Sequence, residues 1–126
     1  MRAMGHVLLL IAALLSAVPA LAEEYEKGPN GGSMLDVAGI DAELLTADKT
    51  VTINVFDAKN GTPIATKGYT AAVLIASGTG RETATLAPSG TNSLKGDAKT
   101  PIAAGATITL TIKTAEGKSG QAKFKK

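Results

Sequence analysis

The sequence predicts an all-β fold, an antiparallel β-sandwich of about seven to eight short strands, immunoglobulin-like in the broad sense. Three observations point there. Apolar residues recur at every second position over most of the chain, the period of a half-buried strand. Turn dipeptides separate these runs at short intervals. Beyond the first two dozen residues, no segment holds a helical period over three turns. A small closed barrel is the architectural alternative.

The opening stretch stands apart. Residues 1–22 carry a cation at Arg2, an apolar run from Val7 to Val18, then Pro19 and a small-x-small site at Ala20-Leu21-Ala22. This is the layout of a secretory signal peptide. The apolar run is about a dozen residues, short of the roughly 20 that a membrane-spanning helix needs. The expectation is therefore cleavage after Ala22, no membrane span afterwards, and a periplasmic or secreted product. No cysteine follows the apolar run, which excludes a lipid-anchored N-terminus.

Residues 23–32, "EEYEKGPNGG", read as an extended N-terminal lead and a turn into the domain. Pro29 fixes its own φ and steers Gly28 toward extended geometry. Gly31 and Gly32 permit positive φ or a close backbone approach. The single β-sandwich domain is expected over residues 33–126.

Each run within that domain has a legible inward face. "SMLDV" leads through Ala38-Gly39 into "IDAELL", which alternates Ile40, Ala42 and Leu44 against Asp41 and Glu43. "TVTINVF" sets Val51, Ile53 and Val55 against Thr50, Thr52 and Asn54. Asn60-Gly61 marks a tight reversal. "SGTG" separates "AAVLIA" from "RETATLA", whose Ala84 and Leu86 alternate with Thr83 and Thr85. Pro88 and Gly90 mark the next turn. "ATITLTIK" alternates Ile108, Leu110 and Ile112 with Thr107, Thr109 and Thr111. After "AEGKSG", the run "GQAKFK" turns Ala122 and Phe124 inward. Threonine suits such strands because its branched Cβ fits the pleat while its hydroxyl faces water.

Composition excludes several function classes. The 13 basic residues, one of them Arg2 in the leader, nearly balance 11 acidic ones. They are scattered, apart from the terminal "KFKK", and nucleic acid is not an expected partner. The chain has no cysteine, and its one histidine, His6, lies in the leader. The remaining residues therefore lack a thiolate nucleophile, a Ser–His pair and an imidazole metal site. Asp36, Asp41, Glu43 and Asp48 are the carboxylates a hydrolase could use. Asp41 and Glu43 fall on the polar face of their strand, where solvent access is the default and desolvated acid–base chemistry is not expected. Neither an enzyme nor a cofactor is predicted. Soft metals want Cys, His or several Met, and only Met34 follows the leader. The weak metal candidates are oxygen donors, Asn30, Asp41 and Glu43, suited to hard cations.

Three stretches carry a resemblance. "GPNGG", "AGIDAELL" and "VTINVFDAKNGTPI" together resemble a group of small exported domains found with bacterial heavy-metal efflux systems, including a segment near the N-terminus of some periplasmic adaptor subunits of metal-exporting pumps. The likeness runs from Gly28 to Gly68 and continues more weakly through "ATLAPSGTNSLKG". Those domains look like Gly-Pro-His-Gly-Gly followed by Gly-aromatic-His-x-Glu-Leu, and their histidines suggest metal handling. This chain keeps Gly28, Pro29, Gly31, Gly32, Gly39, Glu43 and Leu44. It has Asn30 and Asp41 where the two histidines would stand, and Ile40 for the aromatic. The resemblance thus implies an exported, non-enzymatic accessory or binding domain linked to metal-efflux or envelope-stress systems, with another envelope protein as partner and a monomeric state. A weak metal-binding protein using oxygen ligands and a structural or surface-assembly module are the alternatives.

Overall fold

The computed structural model describes residues 25–126. The expected signal peptide, residues 1–22, lies outside the described residues. What is described is all-β, with every strand pairing antiparallel. The nine strands are β1 (Glu26–Lys27), β2 (Ser33–Val37), β3 (Ile40–Ala47), β4 (Thr50–Asp57), β5 (Thr70–Ser77), β6 (Gly80–Ser89), β7 (Ser93–Asp97), β8 (Thr107–Lys113) and β9 (Ser119–Lys125). They run in the order β1-β2-β3-β4-β7-β6-β5-β8-β9 as one sheet curled into a half-barrel. None of the described residues forms a helix long and apolar enough to cross a membrane.

Strand β6 makes the curl. Its first part, up to Leu86, pairs with β5, and Ala87 to Ser89 pair with β7. Gly96 of β7 sits where β6 leaves one partner for the other. A Cβ there would lie 2.2 Å from the Thr85 carbonyl oxygen, so only glycine lets the strands approach. The two ends of the sheet then meet. Gly120 of β9 packs against Ala38 at the end of β2, and Tyr25 stacks near Phe124 with ring centroids 6.3 Å apart. Lysines on the outer face of β9 and the Tyr25 segment beside it blunt that edge strand.

The expected inward residues line the concave face. Val51, Ile53, Val55, Val73, Ile108, Leu110 and Phe124 are fully buried, joined by Ala42, Leu44, Leu86 and Ala122. Two strands were not anticipated by pattern. The pair Glu26 and Lys27 is too short to show a period, and β7 has one buried apolar residue, Leu94, between polar neighbours and a glycine.

The outer face departs from simple alternation. Glu43, Asn54 and Phe56 all have outward parity, yet all three are buried. Pro63 closes over Phe56 through an isolated bridge, and the chain from Gly61 to Tyr69 covers the neighbouring strands.

Candidate functional site

The site begins with one row of the sheet. Antiparallel register sets Met34, Glu43, Asn54 and Ser93 side by side across β2, β3, β4 and β7. Neighbours in such a row touch on the same face. Glu43 and Asn54 therefore meet on the outer face, where solvent would ordinarily surround them.

A loop covers them instead. Residues 28–32 connect β1 to β2 and close on themselves, with Gly28 N–H donating to the Gly32 carbonyl at 2.7 Å and Gly31 N–H to the Gly28 carbonyl at 3.0 Å. The loop drapes over the Glu43 side chain. Asn30 N–H and Gly32 N–H donate to Oε2 at 2.8 and 2.9 Å. Asn30 Nδ2 donates to Oε1 at 2.9 Å, and Asn54 Nδ2 approaches the same oxygen at 3.4 Å. Glu43 is 0% exposed. The backbone N–H groups form a concave nest of the kind that holds anions, and here the anion is the chain's own carboxylate.

The glycines follow from that closeness. A Cβ on Gly28 would sit 2.5 Å from Glu43 Cδ, and one on Gly32 would sit 2.1 Å from the Leu44 carbonyl oxygen. Gly31 adopts φ of 87°, which an L side chain rarely takes. Glycine is thus required at Gly28 and Gly32 by space, and at Gly31 by backbone conformation.

The network continues away from the loop. Ser93 Oγ donates to Asn54 Oδ1, and Thr66 Oγ1 donates to the Ser93 carbonyl at 2.9 Å. Thr66 N–H donates to the Thr91 carbonyl at 3.1 Å. Among the described residues, no buried side-chain nitrogen or oxygen lacks a partner. A fully satisfied buried network of this kind favours one arrangement over its competitors.

The carboxylates respond to their settings in opposite ways. Burial pushes Glu43 upward, but the hydrogen bonds from Asn30, Gly32 and Asn54 outweigh it and hold the group below the usual glutamate range. Asp41, two residues earlier on the same face, is half-buried and stands directly across from Asp36. Burial, a hydrogen bond shared with Asp36 and the charges of Asp36, Glu26 and Asp57 push it up to about 6.

The three oxygen-donor candidates therefore divide. Asn30 and Glu43 come together, with Asn30 donating through its N–H groups. Asp41 has Asp36 as its neighbour, and no hydrogen bond joins it to Asn30. The expectation that Glu43 faces solvent is corrected by the covering loop. Among the described residues, no three carboxylate, imidazole or thiol side chains are placed to hold a metal ion. Asn54, Ser93 and Thr66 were missed because each looks like an ordinary outward polar residue. The one sequence signal was glycine crowding in residues 28–32, which marked a close approach without naming its target.

A cleft of about 510 Å³ lies between Ile75, Arg81, Lys99 and Ile102. Its carboxylate is also occupied. Glu82 accepts from Lys99 N–H at 2.6 Å and from Thr100 Oγ1 at 3.2 Å, and the Lys99 N–H above all holds it below its ordinary range. No family model, no curated protein and no solved structure matches this chain.

Proposed function

We propose that the chain is an exported, non-enzymatic accessory domain of the bacterial envelope, linked to metal-efflux or envelope-stress systems, that works by docking to another envelope protein. The observation that carries this reading is the occupancy of Glu43. Both of its oxygens are already engaged by Asn30, Gly32 and Asn54 of the same chain. The part of the sequence that resembles metal-handling domains thus serves to hold a loop on a sheet. Residues 25–126 also contain no cysteine or histidine to supply a nucleophile or a soft metal ligand. The leader-like residues 1–22 support export. We read the curled sheet as two packed layers, immunoglobulin-like in the broad sense, with β6 passing between them.

Two measurements test the reading. Cell fractionation of the tagged chain should recover it from the periplasm with Glu23 as its first residue, and cross-linking in cells should capture the same envelope protein reproducibly. Recovery in the cytoplasm with Met1 intact would contradict it. Calorimetry with Cu²⁺, Zn²⁺ and Ca²⁺ should give no heat of binding. A binding heat abolished by Asp41→Asn or Glu43→Gln would instead establish the oxygen-ligand metal protein.

A further inference from the structure

The end of the sheet near the β2–β3 turn holds a cleft of about 270 Å³, bounded also by the covering chain before β5 and by the β8–β9 turn. Tyr69 lines it and is only 7% exposed. Among the described residues its hydroxyl has no hydrogen-bond partner, although every enclosed polar side-chain atom has one. The hydroxyl is thus not among the enclosed atoms, and Tyr69 lines this cleft. Buried tyrosines ordinarily find a partner for that group. Burial, with the Glu116 carboxylate nearby, pushes the phenol above its ordinary value of 10, so it remains an O–H donor at neutral pH.

Both signs of charge line the same cleft. Asp57, Glu116 and Lys118 are all among its lining residues. Asp57 Oδ1 is committed to the N–H groups of Lys59 and Asn60, at 2.8 and 3.1 Å. Its other oxygen makes no hydrogen bond among the described residues. The rim is strained. The two-residue turn Ala38-Gly39 has positive φ at both positions, 53° and 84°, the geometry usually given to Asn-Gly. Ala38 thus holds a left-handed backbone that L side chains rarely adopt. Strain of this sort concentrates at ligand-holding sites.

We propose that this cleft is a binding site for a small zwitterion of amino-acid size, its carboxylate met by the Tyr69 hydroxyl and the Lys118 ammonium, its ammonium by Glu116 and Asp57. The volume falls just below that of pockets for drug-sized ligands. A simple anion would face two carboxylates. A simple cation would leave the phenol donor unmatched and meet Lys118. A zwitterion uses all four groups.

The test is an amide NMR titration of the purified protein with L-alanine, with acetate and methylamine as the separated halves. Saturable shifts are expected at Gly39, Tyr69, Gly117 and Lys118, with each half binding at least ~10-fold more weakly than the whole. Tyr69→Phe and Lys118→Gln should each weaken L-alanine binding about 10-fold, the size of one charge-assisted hydrogen bond. Should Tyr69→Phe fail to fold, Lys118→Gln and Glu116→Gln on the exposed turn decide the matter alone. Absence of saturable shifts with L-alanine, L-lysine and L-glutamate would overturn the proposal. So would unchanged affinity in the variants, or acetate or methylamine binding as well as the amino acid.

Discussion

Glu43 and Asp41 lie on the same face of β3, two residues apart, and the sequence treats them alike. Glu43 is enclosed by donors and held ionised. Asp41 is pushed toward its neutral form by burial first and then by the carboxylates around it. The difference comes from what covers each one. Residues 28–32 reach only as far as the row that contains Glu43, and the row that contains Asp41 pairs it with Asp36. Side-chain period fixes the face a carboxylate occupies. The neighbouring loop and the opposing strand fix its chemistry.

The largest effect should come from removing the anchored carboxylate. Glu43→Ala leaves the N–H groups of Asn30 and Gly32 without an acceptor in a buried place. Denaturant unfolding should register a loss of about 3–5 kcal/mol. A loss below 1 kcal/mol would mean that the loop holds itself without Glu43.

Next comes the loop backbone. Gly32→Ala places a methyl group against the Leu44 carbonyl and should cost about 2–3 kcal/mol by the same measurement. Gly61→Ala is the comparison within the molecule. Its Cβ would meet nothing within 4 Å, and only its φ of 75° resists the substitution, so it should cost less. Equal losses would show that the approach to β3 yields to the added methyl group and does not govern Gly32.

Asn30→Ala removes one side-chain donor and keeps the backbone N–H, and a loss of about 1–2 kcal/mol is expected. The smallest effect has the opposite sign. Asp41→Asn removes a carboxylate among like charges and should stabilise the domain by about 1 kcal/mol at pH 8. Because the folded pKa of Asp41 is raised to about 6 from 3.8, its ionisation costs stability as pH rises through that window. The gain from Asp41→Asn should therefore shrink toward zero near pH 4. Glu43 runs the other way. Its folded pKa is depressed, so its contribution is full above the unfolded value of 4.5 and is lost as pH falls through the lower folded value. Unfolding curves of the wild type and Asp41→Asn at both pH values check the two signs together.

Much of the fold was readable because its inward faces obey strict alternation. Val51, Ile53 and Val55, or Ile108, Leu110 and Ile112, permit only one buried side. The strand order was not readable, since β6 changes partner midway and β7 is marked by Leu94 and the close approach at Gly96 alone. The site was half readable. Gly28, Gly31 and Gly32 announced a tight passage of the chain, and Glu43 was singled out beside them. Their meeting depends on a loop folding back over eleven residues of sequence onto an outward position, which no local period encodes. Asn54 shares that origin, being an outward residue buried by a remote segment, and Thr66 lies on the chain that does the covering.

The account rests on Glu43 being an ionised, enclosed anchor for residues 28–32, and its own titration is the most direct test. Carboxyl ¹³C NMR across acidic pH should place its midpoint below 4.5, with the Asn30 and Gly32 amide resonances moving along the same curve. A midpoint at or above 4.5, or amides that ignore it, would contradict the account.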